Sequence, residues 1–325
     1  MRRYLLVLFI MIMIPYLTTL AWTGKVEIAG GDVQNKNSGA FFEDLQGNAK
    51  TIPAARSVIV GYDEKEVTVS VEDYLIHVLA AQIPAAFESE TLKAQAILAR
   101  TYIYGLMEGR KEIYEEELDM DVKSNEEMKA MWGETDYPVM LSKIRAAIAE
   151  TAGLYLIYEG KLIEPLFCYA SAGRTRTYGD AFPYLKQVES EWDLQAENYR
   201  SLPMFEIKEF ISRINEIPGA VEVSEKELKN GGGIQIVERD SSGYVKLVQI
   251  GQKTYFGEEV QYALGLASPC YSFEYLEDKI RVICKGIGHG YGFAQYGANE
   301  MAKEGKMSDT LLTYYFRDVE IVQAE

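Results

Sequence analysis

The chain has 325 residues, 48% of them hydrophobic and 25% charged, and a formal net charge of −16. That length holds one large domain or two ordinary ones with real cores, and the composition is that of a globular protein. The negative charge excludes a role built on nucleic-acid phosphates, which demand a basic surface. It also weighs against strongly anionic polymers, unless a basic groove is hidden within the total.

At the N-terminus, Arg2 and Arg3 precede an apolar run from Tyr4 to Trp22. The run is about 19 residues long, near the ~20 needed to cross a bilayer. The basic pair favours a cytoplasmic start and an exported remainder. Thr19-Leu20-Ala21 matches a cleavage site only weakly. The expectation is therefore an uncleaved single-pass anchor over 1–22, with a cleaved signal peptide as the alternative. The bulk of the chain is then extracytoplasmic, held at the cell membrane. Residues 23–55, with scattered Gly, Asn and Ser, read as a tether, and 56–325 as the folded domain.

Within that domain "SVIVGY" and "EVTVSV" read as short strands. Asp73 is expected to cap a helix that carries Leu75, Val78, Leu79 and Ile83 at helical spacing and breaks at Pro84. Ser89 is expected to cap a second helix, with Leu92, Ala96, Ala99 and Ile103 on one stripe. Residues 108–136 are strongly acidic and read as a solvated surface insertion. "LSKIRAAIAETAG" reads as a third helix closed by Gly153. "LYLIYEGKLIEPLFCYAS" reads as a hairpin turning at Glu159-Gly160, and "GGGIQIVERDSSGYVKLVQIGQKTYF" as further strands with a Ser-Gly turn. The Gly-rich "GIGHGYGFAQYGA" runs into a helix, followed by "SDTLLTYYF" and a short strand. Helices and strands mix without strict alternation, so the predicted class is α+β, a mixed, largely antiparallel sheet flanked by helices.

The three cysteines are Cys168, Cys270 and Cys284. "CYSFEYLEDKIRVIC" reads as a hairpin. One register would face Cys270 and Cys284 for a disulfide, and a slip of one residue would put them on opposite faces. The histidines are His77 and His289, and no Cys or His pair has metal-ligand spacing. No metal and no cofactor are expected.

Two segments invite a ligand. Glycines at 286, 288, 290, 292 and 297 hold backbone that other residues avoid, or allow close approach. His289, Gln295 and Tyr296 then offer polar groups from a rigid loop entering a helix. The loop reads either as a carbohydrate or peptide contact or as a tight structural turn with a buried histidine. It is not a dinucleotide fingerprint, because the spacing is wrong. In "YASAGRTRT", Ser171, Arg174 and Thr175 can donate hydrogen bonds. No Gly-x-Ser-x-Gly elbow surrounds Ser171, so it does not read as a nucleophile.

Four blocks in order carry a resemblance: "VEDYLIHVLAAQIPAAFESETLKAQAILARTY", "IRAAIAETAGLYLIYEGKLIEPLFCYASAGRTRT", "FPYLKQV" and "GIGHGYGFAQYGANEMAKEGKMSDTLLTYYF". Together they resemble the stage II sporulation protein D (SpoIID/LytB) family of peptidoglycan lytic transglycosylases, from about residue 60 to 322. The resemblance implies a protein that acts on the glycan strands of peptidoglycan, preferring strands stripped of stem peptides. It implies action in engulfment during endospore formation, beside an amidase and a membrane protein (stage II proteins P and M). It also implies non-hydrolytic cleavage to a 1,6-anhydro sugar. One carboxyl group would act first as acid and then as base, which requires a raised pKa.

One departure from the family is decisive for chemistry. The family's glutamate falls in an Ala-Ala-Glu-Met-Pro-Ala segment, and this chain has Ala80-Ala81-Gln82-Ile83-Pro84-Ala85. An amide keeps the shape and hydrogen-bonds but cannot shuttle a proton. Some relatives hold zinc through a His and two Cys placed close together, and nothing here matches that. Three readings of Gln82 stand. The chain has diverged into a glycan binder or a scaffold of the engulfment complex, with weak or no cleavage. A nearby acid, among Glu72, Asp73, Glu88 and Glu90, has taken over. Or the amide was introduced in place of glutamate. The expected ligand contacts, carried by motif match, are Ser171, Arg174, Thr175, His289, Gln295, Tyr296 and Arg100. Arg100 and Lys93 also have a plainer reading as salt-bridge partners of the acidic helix flanks. In a scaffold, the acidic 108–136 stretch would be the docking surface.

Overall fold

The computed structural model describes residues 56–62, 64–228 and 233–324. The expected anchor and tether lie outside the described residues. Among the described residues no helix is long and apolar enough to cross a membrane. The described chain divides into two units. One comprises residues 56–166 together with the segment from Ala298 onward, and the other is Phe167–Gly297.

The first unit starts with a hairpin of β1 (Ser57–Tyr62) and β2 (Lys65–Ser70), with alternating valines facing inward. The chain turns directly into α1 (Val71–Gln82). The residue that caps it is Ser70 rather than the expected Asp73: Ser70 Oγ accepts from the Asp73 amide at 2.9 Å and donates to Asp73 Oδ2 at 2.6 Å. Ile83 takes an extended conformation just before Pro84, so the helix stops where the proline demands it. The next helix, α2 (Ser89–Met107), includes Ser89 as its first residue. Its cap is Glu88, which makes no side-chain capping bond. After β3 (Glu112–Tyr114) and a 3₁₀ turn comes α3 (Asn125–Glu150), capped by Ser124 and Glu127 and interrupted at Gly133.

These elements share one core of Val58, Val60, Leu75, Leu79, Leu92, Ile103, Ile144 and Ile148. The acidic 108–136 stretch is largely exposed, yet it is anchored to the core. β3 joins β1 in parallel, and Ile113, Leu118 and Met128 are buried in that same core. Most of its charges face outward, Glu115 being the main exception, while every few residues an apolar side chain turns in, a pattern that net charge conceals. The unit is completed by β4 (Leu154–Tyr158) and β5 (Lys161–Leu162), which turn at Glu159-Gly160 as expected with positive φ at both. α7 (Gln295–Lys303), α8 (Ser308–Tyr315) and β15 (Glu320–Gln323) close the chain, with β15 pairing antiparallel to β4.

The second unit holds β6 (Phe167–Cys168), β7 (Arg200–Ser201), β8 (Met204–Glu206), α4 (Ile207–Asn215) and α5 (Glu225–Leu228). Then come β9 (Ile234–Arg239), β10 (Val245–Ile250), β11 (Lys253–Phe256) and α6 (Gly257–Leu264). Its last strands are β12 (Tyr271–Leu276), β13 (Lys279–Lys285) and β14 (Phe293–Ala294). Phe210, Ile214, Val245, Val248, Val260, Ile280 and Val282 form its core. α6 can start where it does because residue 257 is glycine; a Cβ there would lie 1.9 Å from the Val245 carbonyl.

The class is α+β and mostly antiparallel, with parallel pairs at β1–β3 and β6–β14. Among the described residues the strands form five small sheets rather than the single sheet expected, since none exceeds seven residues and helices or turns intervene. In the β12–β13 hairpin Tyr271, not Cys270, faces Cys284. That register puts the two cysteines on opposite faces, and all three cysteines are free thiols.

Candidate functional site

In the first unit, Gln82 occupies the last turn of α1, immediately before the proline break. It is only 4% exposed. Its Oε1 accepts from Nε2 of Gln95, a buried residue of α2, at 2.9 Å. The loop that follows is tied down on both sides. Lys143 of α3 donates to the carbonyls of Ala86, at 3.1 Å, and Phe87. The Glu88 amide donates to Asn299 Oδ1 at 2.7 Å. Position 82 is thus set in a rigid frame, and as an amide it has no proton to transfer.

The acids offered as substitutes are mostly committed elsewhere. Glu72 clasps Arg100 with both oxygens, at 2.8 and 2.6 Å, and also accepts from the Gly153 amide. Asp73 is tied to Ser70. Burial pushes the Glu90 carboxyl up, but hydrogen bonds from Lys93 and the Ser308 amide carry it below its ordinary range, the wrong direction for a general acid. Glu88 is exposed at the mouth of α2.

Two carboxyls missed in the sequence do reach the range such chemistry needs. Burial pushes Glu115 and Glu164 up to about 7. Glu115 accepts from the Tyr74 hydroxyl at 3.2 Å. Tyr74 lies eight positions before Gln82 on α1, roughly 12 Å along the axis. Glu164 lies between β5 and β6.

Arg100 is fully buried, and besides Glu72 it donates to the Leu154 carbonyl at 3.0 Å. This geometry supports the salt-bridge reading and leaves no guanidinium face for a ligand. Lys93 likewise bridges Glu90 and Glu150, each at 2.6 Å.

The other expected contacts belong to the second unit, and most hold the fold together. Ser171 is buried and donates Oγ–H to Asp193 Oδ2 at 2.6 Å, and its amide reaches the same oxygen at 2.8 Å. Asp193 Oδ1 accepts from the Gly297 amide in the first turn of α7. One buried carboxylate therefore ties the "YASAGRTRT" segment to the end of the Gly-rich loop. Burial pushes its pKa up to about 6 against those hydrogen bonds. Thr175 is buried, donating to the Lys186 carbonyl at 3.3 Å and accepting from the Val188 amide at 3.0 Å.

His289 is 5% exposed, and its Nδ1 accepts from the Tyr291 amide at 3.0 Å. Burial, helped by the Arg176 charge, pushes the imidazole down to about 3, so it is neutral at physiological pH. Gln295 is buried at the start of α7. Arg174 and Tyr296 keep solvent access. Arg174 pairs loosely with Glu189 at 3.4 Å, and Tyr296 donates its hydroxyl to the Gln195 carbonyl at 3.2 Å.

The organising group here is Arg176, which sequence reasoning passed over for its neighbour Arg174. It is buried, bonds Asp240 at 2.6 Å and Glu258 at 2.9 Å, and donates to the His289 carbonyl at 3.2 Å. Its guanidinium also lies 4.3 Å from the Tyr291 ring centroid and 4.8 Å from that of Tyr244. Its partners at 240 and 258 are far away in sequence, so no spacing pattern could announce them. Gly290 is required for the loop to pass: its φ is +81°, and a Cβ would meet the Tyr244 hydroxyl at 2.3 Å. Among the described residues no group of three or more His, Cys, Asp or Glu is placed to hold a metal ion.

The described residues thus form a mixed α+β chain with a Pro-broken helix at position 82 and a braced Gly-rich loop. The family model described as "Stage II sporulation protein" matches residues 63–158. The chain is 31% identical to stage II sporulation protein D of Bacillus subtilis (strain 168), over 97% of this chain and 93% of the relative. It is 33% identical to the protein of that name from Bacillus amyloliquefaciens, over 79% and 75%. An uncharacterized protein of Brachyspira hyodysenteriae is 25% identical over 82% and 71%. The chain belongs to the stage II sporulation protein D family.

Proposed function

We propose that this sporulation protein binds peptidoglycan glycan strands on a lytic-transglycosylase frame and cleaves them weakly or not at all. The observation that carries the reading is Gln82: an amide at the family's acid position, buried and oriented by Gln95. A single group serving as acid and then base supplies roughly 10²–10⁴-fold per step, and an amide supplies neither. The apolar run behind Arg2 and Arg3 supports an anchor that holds the chain at the outer side of the cytoplasmic membrane, where glycan is found. The engulfment amidase and membrane protein are the partners this reading proposes.

The test uses the full-length chain in detergent with glycan strands freed of stem peptides. Retention on the strands without release of 1,6-anhydro ends is expected. Neither retention nor product, with capture of the amidase, would replace the binder by a scaffold. In Gln82→Glu, cleavage should appear, because Gln95 can donate to a carboxylate as it does to the amide. A second reading, an active enzyme with a substitute acid, is favoured by the two carboxyls raised to about 7; Glu115 accepts from Tyr74, so Glu164 is the one to test. Anhydro product from the native chain, abolished in Glu164→Gln, would establish it.

A further inference from the structure

Residues 115–123 lie as a strap against α1. The strap begins with the 3₁₀ turn Glu115–Glu117 and ends at Lys123, just before the cap of α3. Two contacts fasten it to one face of the helix, since Tyr74 and His77 are three positions apart. The Tyr74 hydroxyl donates to Glu115 Oε1 at 3.2 Å. The Lys123 amide donates to the His77 carbonyl at 3.1 Å, and His77 Nδ1 donates to the Lys123 carbonyl at 2.6 Å. Between these ends only Leu118 is fully buried, while Met120 and Val122 are half-buried against the core. A segment held by one apolar anchor and a few hydrogen bonds opens at less cost than the core beneath it.

The charges gathered at this contact are mostly negative. Glu115 bonds the Tyr74 hydroxyl and Asp121 acts on it from nearby. Glu116 acts on Glu115, and Asp119 on Asp121. The cations around them are largely spent. Lys123 acts on Asp121 but pairs with Glu127 at 3.4 Å. Arg110, just past the end of α2, is held by both oxygens of Glu117 at 3.1 and 2.9 Å. Arg56 lies over the Tyr104 ring, 4.0 Å from its centroid. β1 packs on the same turn and carries no charged residue. On α1 itself, Glu72 and Asp73 are taken by Arg100 and Ser70. Tyr74 is held protonated by burial and by these acids. His77 keeps its bond to the Lys123 carbonyl whether or not its other nitrogen gains a proton. Burial, with no cation to answer it, pushes the Glu115 carboxyl up to about 7.

We infer that residues 115–123 are a proton-operated strap: with Glu115 protonated it lies closed on α1, and with Glu115 ionised it lifts off Tyr74 and frees one face of the helix that ends in Gln82. The closed strap binds the proton more tightly than the open one, in which Glu115 returns to its ordinary value of 4.5. Closure is therefore strongest below about pH 4.5, weakens as pH rises to about 7, and changes little beyond. Leu118 stays the anchor from which the strap recloses. The inference does not depend on what the chain binds.

The test is deuterium exchange read by mass spectrometry on the full-length chain in detergent, from about pH 5 to 8.5, with intrinsic amide rates divided out. Protection of peptides spanning 112–123 should fall by up to about tenfold per pH unit until about pH 7 and then level off. Peptides from α2 should stay better protected throughout, because the opening is local. Glu115→Gln keeps the shape without the titrating proton, and its protection over 112–123 should not vary with pH. Tyr74→Phe removes a fastening but not the proton, so protection should drop at every pH with the slope retained. A native chain whose 112–123 peptides show no slope overturns the inference, whatever the variants do. So does protection that matches α2 at each pH, which would mean global unfolding. A slope that survives Glu115→Gln and vanishes in Asp121→Asn would move the proton to another group and also overturn it.

Discussion

Arg100→Met separates a structural from a ligand-binding role for the most completely buried cation of the first unit. Methionine fills much the same volume and removes the charge. Arg100 is 0% exposed and makes bonds of 2.8 and 2.6 Å to the two oxygens of Glu72 and of 3.0 Å to the Leu154 carbonyl. Breaking one side of a buried ion pair costs about 3–5 kcal/mol, because the other charge is left uncompensated. The Glu72 side chain is 33% exposed and keeps the Gly153 amide, so the low end applies. Adding about 1 kcal/mol for the carbonyl that loses its donor gives roughly 3–4 kcal/mol in all. At about 2–4 °C per kcal/mol for chains of this order, the unit's thermal midpoint should fall by roughly 6–16 °C. Calorimetry on Arg100→Met, Glu72→Gln and the double variant closes a cycle. The double variant should be more stable than the sum of the two singles predicts, since neither charge is then stranded. A midpoint lowered by less than about 2 °C, with glycan retention lost, would refute this reasoning and return Arg100 to a ligand role.

Other outcomes are equally direct. Gly290→Ala should lower stability by about 2 kcal/mol or more, because an L-residue at φ +81° is strained. The Tyr244 hydroxyl that it would strike is also held in place by the Ala172 amide at 2.8 Å; unchanged thermal unfolding would contradict it. Asp193 is pushed up to about 6 by burial, so the folded chain holds a proton that the unfolded chain gives up near pH 4. Its contribution is therefore greatest below about pH 4 and is lost as pH rises to about 6, amounting to roughly 3 kcal/mol. Glu115 and Glu164 act in the same direction up to about pH 7. The midpoint should rise from pH 7.5 to 5, and Asp193→Asn should flatten part of that rise. A midpoint that falls steadily over that interval would overturn the assignment.

The order of elements was legible because local chemistry decides it. Valine alternation made β1 and β2, Pro84 ended α1, and Glu159-Gly160 turned the β4–β5 hairpin. What depended on a partner distant in the chain was not legible. A mean charge cannot reveal that Ile113, Leu118 and Met128 thread the acidic stretch into the core. The β12–β13 register, one residue off disulfide pairing, is set by packing rather than by the distance of each cysteine from the turn.

The site shows the same division more sharply. Residue type at single positions picked out Ser171, Thr175, His289 and Arg100 as hydrogen-bonding groups, and the fold uses them: Ser171, Thr175 and Arg100 donate to Asp193, the Lys186 carbonyl and Glu72, and His289 accepts from the Tyr291 amide. A polar side chain inside a fold must find a partner, so candidates chosen for hydrogen-bonding capacity are also those the fold most readily consumes. Arg176 illustrates the converse. It touches nothing that local spacing could foretell, yet it fixes the loop on which any ligand contact in that unit would depend. Gln82 is a different case: under the proposed function its meaning lies in one missing proton rather than in where its partners come from, so the reading rests on the residue type alone. Gln95 can bond an amide or a carboxylate at position 82 with little change of shape. Cleavage by Gln82→Glu would therefore show that the frame has stayed competent while one atom changed. Failure of that variant, with its fold intact, would show that the divergence extends beyond residue 82.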